Sequence, residues 1–333
     1  MKSFILCENQ EHYESVYQKS VIERLRDTAG IDDTRYTKAQ ILADAAKFAD
    51  AEVIFSTWGM PKFSAEEIRE YLPRLKSVFY AAGTVQSFAR PFLECGVRVF
   101  SAWRANAIPV AEYTVAQIIL AGKDYYAQSR LIREHDRRGA AARRGGHIGN
   151  YRKKIGIIGC GAIGSLVARM LGGYDVELFA YDPFLAEENA ERLGVTLCSL
   201  EELFSSCSVV SNHLADNCET KNMLRYEHFI SMPPYATFIN TGRGAQVNEQ
   251  ELVRALGERA DLCALLDVTY PEPACESHPF YTLPNCILTP HIAGSLGTEL
   301  VRMAEFMADA YDSYTHALPS EDEVTLPMLA RMA

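Results

Sequence analysis

Gly159, Gly161 and Gly164 punctuate Ile155-Gly156-Ile157-Ile158-Gly159-Cys160-Gly161-Ala162-Ile163-Gly164, after an apolar run and at the opening of a helical one. The spacing is G-x-G-x-x-G, and each glycine has a physical task. Gly159 permits the tight turn, Gly161 lets the backbone approach a pyrophosphate, and Gly164 lets the helix pack close on the sheet. The amides at the helix start, around Ala162 and Ile163, then hold phosphate with the helix dipole behind them. The motif alone is weak evidence, and its context adds to it. The next apolar run, residues 176–181, ends at Asp182, which stands 18 residues past Gly164. That is close to the roughly 20 expected of a carboxylate that takes the ribose hydroxyls of a dinucleotide. Such a carboxylate repels a 2′-phosphate, and no arginine follows in Asp182-Pro183-Phe184-Leu185. The reading is therefore NAD rather than NADP. The competing reading is that Asp182 merely caps the next helix.

Three later segments each set an ionisable residue just past an apolar run. They are Phe238-Ile239-Asn240-Thr241-Gly242-Arg243-Gly244, Leu265-Leu266-Asp267-Val268-Thr269-Tyr270-Pro271-Glu272-Pro273 and Leu288-Thr289-Pro290-His291-Ile292-Ala293-Gly294. Loops after the strand C-termini of an open α/β sheet line its ligand crevice, so these residues are expected to converge on the nicotinamide. Taken singly, such an arginine is a surface ion pair and such a Pro-His a turn with a satisfied ring. Found in order downstream of the glycine loop, they read as one site.

In these segments the chain resembles the D-isomer-specific 2-hydroxyacid dehydrogenase family. The resemblance runs over residues 79–316, and Asn106-Ala107-Ile108-Pro109-Val110-Ala111-Glu112 is similar to the family's N-A-x-x-V-A-E signature. It implies that Arg243 binds the substrate carboxylate and keto oxygen, that His291 is the acid/base, and that Glu272 is its hydrogen-bonded partner. It further implies that Asp267 holds the nicotinamide carboxamide, while Thr241-Gly242 and His213-Leu214-Ala215 line the cofactor. The residue types suit the chemistry. A guanidinium fork binds a carboxylate through paired hydrogen bonds. Negative charge left on the keto oxygen is neutralised by a proton from His291. A carboxylate at Glu272 favours the imidazolium and fixes its tautomer and orientation. Oxidation of the hydroxy acid needs the neutral ring and should prefer higher pH. The rival class is a non-catalytic NAD-sensing or partner-binding protein on the same scaffold, since fold alone does not exclude it. Within the enzyme class, formate or phosphite oxidation is the less favoured alternative.

The chain departs from the family where a glycine loop usually ends in aspartate. Here the stretch reads Ala81-Ala82-Gly83-Thr84-Val85-Gln86-Ser87. Gly83 and Thr84 can still offer backbone amides to a substrate, but Val85 or Gln86 takes the place of the acid. Ala215 stands where a proline is usual. Trp58, in Ser56-Thr57-Trp58-Gly59-Met60, is either a cover for an apolar substrate side chain or plain core. Arg104 is a further source of positive charge.

The elements that must position these groups alternate. Strands are expected over residues 4–7, 53–56, 77–81 and 97–100, with helices over 11–29, 38–48 and 65–71. A long helix is expected over 110–134, followed by a basic, glycine-rich stretch (Arg137, Arg138, Gly139, Arg143, Arg144, Gly145, Gly146) read as a solvated loop or inter-subunit arm. A second series puts strands at 154–158, 176–181, 209–212, 237–240, 264–267 and 287–288. Its helices fall at 162–171, 186–193, 201–204, 249–256 and 298–316. Residues 318–333 are expected to form a tail docking on the first domain. The fold expectation is α/β, with two doubly wound parallel-sheet domains and a cleft between them. A Rossmann NAD-binding domain would span 103–294, and a discontinuous flavodoxin-like substrate domain 1–102 and 295–333.

The 333 residues, 48% hydrophobic and 23% charged, read as an ordinary globular chain. No apolar run reaches the roughly 18–20 residues of a membrane span, and residues 1–8 read as a strand rather than a signal peptide. A net charge of −10 argues against general nucleic-acid binding and requires a local positive site for any anionic substrate. Nine cysteines, with no C-x-x-C pair, read as reduced buried thiols of a cytoplasmic protein and give no metal site. A homodimer acting on a small 2-keto or 2-hydroxy acid completes the expectation by resemblance. Asp182→Ala should weaken NAD binding and relax discrimination against NADP in cofactor titrations; an unchanged preference would remove the ribose argument.

Overall fold

The computed structural model describes residues 2–145 and 147–329. Met1, Gly146 of the basic stretch and residues 330–333 of the tail lie outside the described residues. In chain order the strands are β1 (Ser3–Leu6), β2 (Arg35–Tyr36), β3 (Val53–Ser56), β4 (Ser77–Tyr80), β5 (Arg98–Ser101), β6 (Lys153–Ile158), β7 (Val176–Tyr181), β8 (Val195–Leu197), β9 (Val209–Asn212), β10 (Thr237–Asn240), β11 (Cys263–Leu266), β12 (Cys286–Leu288) and β13 (Glu323–Val324). They form two sheets in two compact units, Met1–Asn106 with Ser295–Ala333 and Ala107–Gly294.

The first unit holds the order β13-β5-β4-β3-β1-β2, parallel throughout except for β13, which runs antiparallel to β5. Both faces are covered, so β3 and β4 are apolar and buried at nearly every position instead of alternating. Ile54, Val78 and Tyr80 enter one core. Phe55, Phe79 and Phe100 enter the other, beneath Met303, Met307 and Tyr311 of the helix Glu299–Thr315. There Phe79 stacks on Phe100 with ring centroids 4.6 Å apart.

The second unit holds the order β12-β11-β10-β9-β6-β7-β8, all parallel. The chain starts in the middle at β6, winds out to β8, and returns beside β6 at β9. The order therefore reverses between β6 and β9, the switch point outside whose strand ends ligands bind in such sheets. Register carries one row across five strands: Ile158, Asn212, Asn240, Leu266 and Leu288 stand level.

Several expected helices divide. The run over 11–29 becomes Gln10–Val16 and Lys19–Ala29, because Tyr17 leaves helical geometry and donates its buried hydroxyl to the Ser56 carbonyl at 2.7 Å. The run over 38–48 breaks at Asp44, which ends one helix and caps the next through Lys47 N. The helix expected over 110–134 is two, Trp103–Gly122 and Tyr125–Arg133. Asp124 between them adopts φ +54° and receives both arms of the Arg143 guanidinium at 2.8 Å. The basic stretch is thus no loop throughout: it contains the helix Arg137–Ala142, and Arg143 is mostly buried against Asp124. The tail supplies β13, and Arg98 grips Glu323 with two hydrogen bonds. Short elements without period, such as β2, β8 and the helix Tyr226–Ser231, escaped the sequence pattern.

All nine cysteines are free, but Cys218 and Cys275 are exposed, which corrects the expectation of uniformly buried thiols. Among the described residues no helix is long and apolar enough to cross a membrane.

Candidate active site

Past the shared strand row, the next residues are Gly159, His213, Thr241, Asp267 and Thr289. Gly159 turns with φ +82°, and a Cβ there would stand 2.9 Å from the His213 carbonyl oxygen. A Cβ on Gly164 would reach the Gly159 carbonyl oxygen at 2.0 Å, so only glycine lets the helix Ala162–Leu171 lie this close to the turn. Gly161 faces no atom within 4 Å of an added Cβ. The first intrahelical bond is Ser165 N to Gly161 O, which leaves the amides of Ala162 and Ile163 ahead of it. Asp182 does not cap the following helix, whose N-cap is Ala186. Its carboxylate instead accepts from Cys160 N at 2.8 Å and Phe184 N at 2.9 Å, bracing the glycine turn.

His213 closes the other side of this turn. Its Nε2 meets Ser211 Oγ at 2.9 Å, and burial pushes its basicity down to about 3, so the ring is neutral. Its Nδ1 is buried with no hydrogen-bond partner among the described residues, an orphan of the kind that marks a place for a ligand group. The turn, the helix amides, the braced carboxylate and this ring fit a dinucleotide. Thr241, 6% exposed, sits against the Thr114 hydroxyl at 3.3 Å.

On the neighbouring strand ends stand the three ionisable residues. β10, β11 and β12 are adjacent, with spacing of about 4.8 Å between neighbours. Arg243 and His291 each follow their aligned strand ends by three residues. A Cβ on Gly244 would strike the Thr269 backbone at 2.1 Å, which shows how tightly the Arg243 loop lies on the segment leading to Glu272. His291 Nδ1 meets Glu272 Oε1 at 2.7 Å, and both side chains keep solvent access at 46% and 38%. Nε2 is left pointing away from Glu272. Arg243 forms no ion pair among the described residues. Its guanidinium donates to the Gly242 carbonyl at 2.8 Å and is otherwise available to an anion. Arg104 differs: it is paired with Glu321 and Asp322, so its charge is neutralised.

Asp267 explains how His291 is held. The buried carboxylate accepts from Thr289 Oγ1 at 2.5 Å, Ile292 N at 2.9 Å and Ala293 N at 2.9 Å. The His291 amide donates to the Asp267 carbonyl at 2.9 Å. His291 itself adopts φ +54°, a conformation that costs energy for a residue with a side chain and persists only where the surroundings fix it. Tyr113 adds its hydroxyl to Thr289 at 3.0 Å. Asp267, read from sequence as a cofactor contact, thus has its oxygens engaged by the histidine loop.

Glu249 was not singled out by sequence. Its Oε1 accepts from Tyr270 N at 2.8 Å and its Oε2 lies 3.4 Å from His278 Nε2, so it tethers the segment that carries Glu272. A polar residue opening a helix is ordinary, and only the fold shows what lies beneath it.

The remaining candidates, Gly83, Thr84 and Trp58, belong to the other unit. Ser101 Oγ donates to the Ala82 and Gly83 carbonyls, fixing that loop. Thr84 is exposed, Val85 is fully buried in the core, and the Gln86 side chain donates to the Leu329 carbonyl at 2.5 Å. Neither residue standing for the family's aspartate is therefore an equivalent. Trp58 is partly buried against both cores of its unit, and its carbonyl receives Cys7 Sγ and His12 Nδ1. Among the described residues no group of three or more histidine, cysteine, aspartate or glutamate side chains is placed to hold a metal ion.

Burial raises the Glu249 carboxyl to about 7 from 4.5. Between those values the folded chain keeps a proton that the unfolded chain has released, so this group's contribution to stability is full below about pH 4.5 and lost as pH rises through 7. Glu249→Gln keeps the acceptor for Tyr270 N. In denaturant melts it should remove that decline and exceed the parent above pH 7 by on the order of 2 kcal/mol, discounted for partial solvation. Parallel pH profiles for the two proteins would contradict the assignment.

The D-isomer specific 2-hydroxyacid dehydrogenase, NAD binding domain family matches residues 115–293. D-3-phosphoglycerate dehydrogenase of Synechocystis sp. is 32% identical over 236 residues, covering 70% of this chain and 42% of the relative. The chain thus spans less than half the length of the curated relatives of this kind that it matches. The NAD complex of a D-isomer specific 2-hydroxyacid dehydrogenase from Lactobacillus delbrueckii shares the fold with TM-score 0.75 and 18% identity, over 98% of this chain and 100% of that one. NAD-dependent formate dehydrogenase from Staphylococcus aureus, also with NAD, gives TM-score 0.67 and 26% identity over 97% of each chain. The family match covers more than half of the chain and takes in the glycine turn, the paired histidine and glutamate, and the unpaired arginine; the chain belongs to the D-isomer specific 2-hydroxyacid dehydrogenase family and carries its NAD binding domain.

Proposed function

We propose that the chain is an NAD-dependent oxidoreductase that interconverts a small 2-keto acid and its D-2-hydroxy acid. One observation carries the reading: His291 is paired with Glu272 at 2.7 Å on the strand ends that also present Arg243 without an acidic partner. Binding a dinucleotide needs none of the three, so a purely NAD-sensing role leaves them unexplained.

NADH, when bound, supplies the hydride that reaches C2 of the keto acid. Arg243 binds the carboxylate through its guanidinium fork and sets the orientation of the keto group. His291, as imidazolium, donates the Nε2 proton to the keto oxygen while negative charge develops there. Glu272 accepts the Nδ1–H, so the ring cannot rotate and its mobile proton leaves from Nε2. In the reverse direction the neutral ring takes the hydroxyl proton through the same nitrogen. The amides of Ala162, Ile163 and Gly164 hold the pyrophosphate and Asp182 the ribose, while His213 and Thr241 line the nicotinamide side and Asp267 fixes the histidine loop beside it. In the other unit, Gly83 and Thr84 offer backbone amides and Trp58 an apolar surface as candidate substrate contacts.

Formate oxidation transfers a hydride and no proton, so it leaves an acid/base histidine–glutamate pair without a proton to move. A cytoplasmic homodimer is part of the proposal; the dimer is supported by the exposed Leu120, Tyr125 and Ile132 on the helices Trp103–Gly122 and Tyr125–Arg133.

The test is a panel of 2-keto acids and formate assayed with NADH or NAD. Reduction of at least one keto acid is expected. His291→Ala should cut it by roughly 10²–10⁴ while sparing NADH affinity. Arg243→Ala should raise KM for the keto acid roughly 10- to 100-fold, the loss of a charge-assisted pair. Tight NADH binding with no turnover of any keto acid, or near-normal activity in both variants, would overturn the assignment.

A further inference from the structure

Directly beneath Arg243 lie three amide side chains that the chemistry above does not use. Asn212, Asn240 and Gln246 are 0%, 1% and 0% exposed. Asn212 Nδ2 donates both hydrogens, to Asn240 Oδ1 at 3.0 Å and Gln246 Oε1 at 2.6 Å. Gln246 Oε1 also accepts from Arg243 N at 3.1 Å, and Gln246 Nε2 donates to the Leu214 carbonyl at 2.7 Å. Asn240 Oδ1 accepts from Gly242 N at 3.1 Å while its Nδ2 donates to the Arg243 carbonyl at 3.1 Å. Asn212 Oδ1 accepts from Leu214 N at 3.3 Å.

Every side-chain amide nitrogen and oxygen in this cluster has at least one partner, and flipping any one amide would set donor against donor. The network therefore has one arrangement of its amides, and a buried network fixed in this way is rigid. It grips Arg243 by both its N–H and its C=O, and it grips Leu214 in the same way. Leu214 follows His213, whose backbone carbonyl lies against Gly159 and whose ring Nδ1 is buried without a partner among the described residues. The cluster also lies flat on Gly242: a Cβ there would meet Gln246 Oε1 at 2.8 Å and Asn212 Nδ2 at 3.1 Å.

We infer that Gln246, with Asn212 and Asn240, is a positioning device that locks the loop of the anion-binding arginine to the loop of His213, so that substrate and cofactor contacts are set as one rigid piece. The consequence for the reaction rests on the function proposed above; the coupling of the two loops does not. Because all three groups are amides, the device does not titrate, and it keeps its geometry while His291 gains and loses its proton.

Two substitutions test it. Gln246→Leu orphans Arg243 N and the Leu214 carbonyl and leaves Asn212 half satisfied. Gln246→Glu keeps the acceptor for Arg243 N but, once ionised, has no hydrogen for the Leu214 carbonyl; burial raises such a carboxyl, and its protonated form restores the donor. In the protein without cofactor, amide hydrogen exchange of the peptides covering residues 212–216 and 241–246 should quicken by roughly tenfold or more in Gln246→Leu. NADH titrated by fluorescence should bind the Gln246→Glu variant progressively more weakly as pH rises, with no such trend in the parent. With a keto acid that the parent reduces, Gln246→Leu should raise KM by roughly tenfold or more with a smaller change in kcat. A fall in thermal midpoint with exchange, NADH affinity and KM all at parental values would overturn the inference and leave the cluster as core. If the parent reduces no keto acid, the function proposed above fails, while exchange and NADH titration still decide the coupling of the loops.

Discussion

The hydrogen bond between His291 Nδ1 and Glu272 is the contact on which the proposed chemistry depends, and several interactions of the second unit hold its two loops in place. It joins two loops that leave adjacent parallel strands, so neither partner can be placed by local sequence alone. His291 is pressed into a left-handed backbone conformation. The buried Asp267 carboxylate compensates by gathering the hydroxyl of Thr289 and the amides of Ile292 and Ala293 around it. Glu272 is steadied from the other side, where Glu249 takes the Tyr270 amide. Such outer supports convert two flexible side chains into a fixed pair with one nitrogen facing outward.

The charge pattern follows the same logic. The chain carries a net charge of −10, and the anionic substrate proposed for it would approach against that field. Several arginines are held by carboxylates: Arg143 by Asp124, Arg98 by Glu323, Arg104 by Glu321 and Asp322. The polar side chains that hold the Arg243 backbone are neutral amides. An amide network can hold a guanidinium's backbone without neutralising its charge, which a carboxylate in the same place could not do.

The second unit's site was legible in sequence because it obeys a positional rule. Polar residues immediately after apolar runs, at Gly159, His213, Thr241, Asp267 and Thr289, mark the ends of strands that a doubly wound sheet brings level. Arg243, Glu272 and His291 follow from that row. Hidden from sequence were interactions that depend on which strands are neighbours. Asn212 and Gln246 lie 34 residues apart and meet only because β9 and β10 pair in register. The helix divisions at Tyr17 and Asp124 were equally hidden, since each is set by a distant partner, the Ser56 carbonyl and Arg143. Asp44 is different: a short polar residue inside an apolar period is a local cap signal, and the break there was available to a closer reading. In the first unit, Gly83 and Thr84 were named for a family loop whose aspartate is absent, and Val85 and Gln86 turn out to serve the core and the tail.

The most direct measurement is a crystal structure of the chain with NADH and oxamate, an unreactive isostere of a 2-keto acid. The expected result is oxamate with its carboxylate on the Arg243 guanidinium and its carbonyl oxygen within hydrogen-bond distance of His291 Nε2, the imidazole still held by Glu272. Oxamate bound away from Arg243, or a His291 ring released from Glu272 and turned from the nicotinamide, would contradict it.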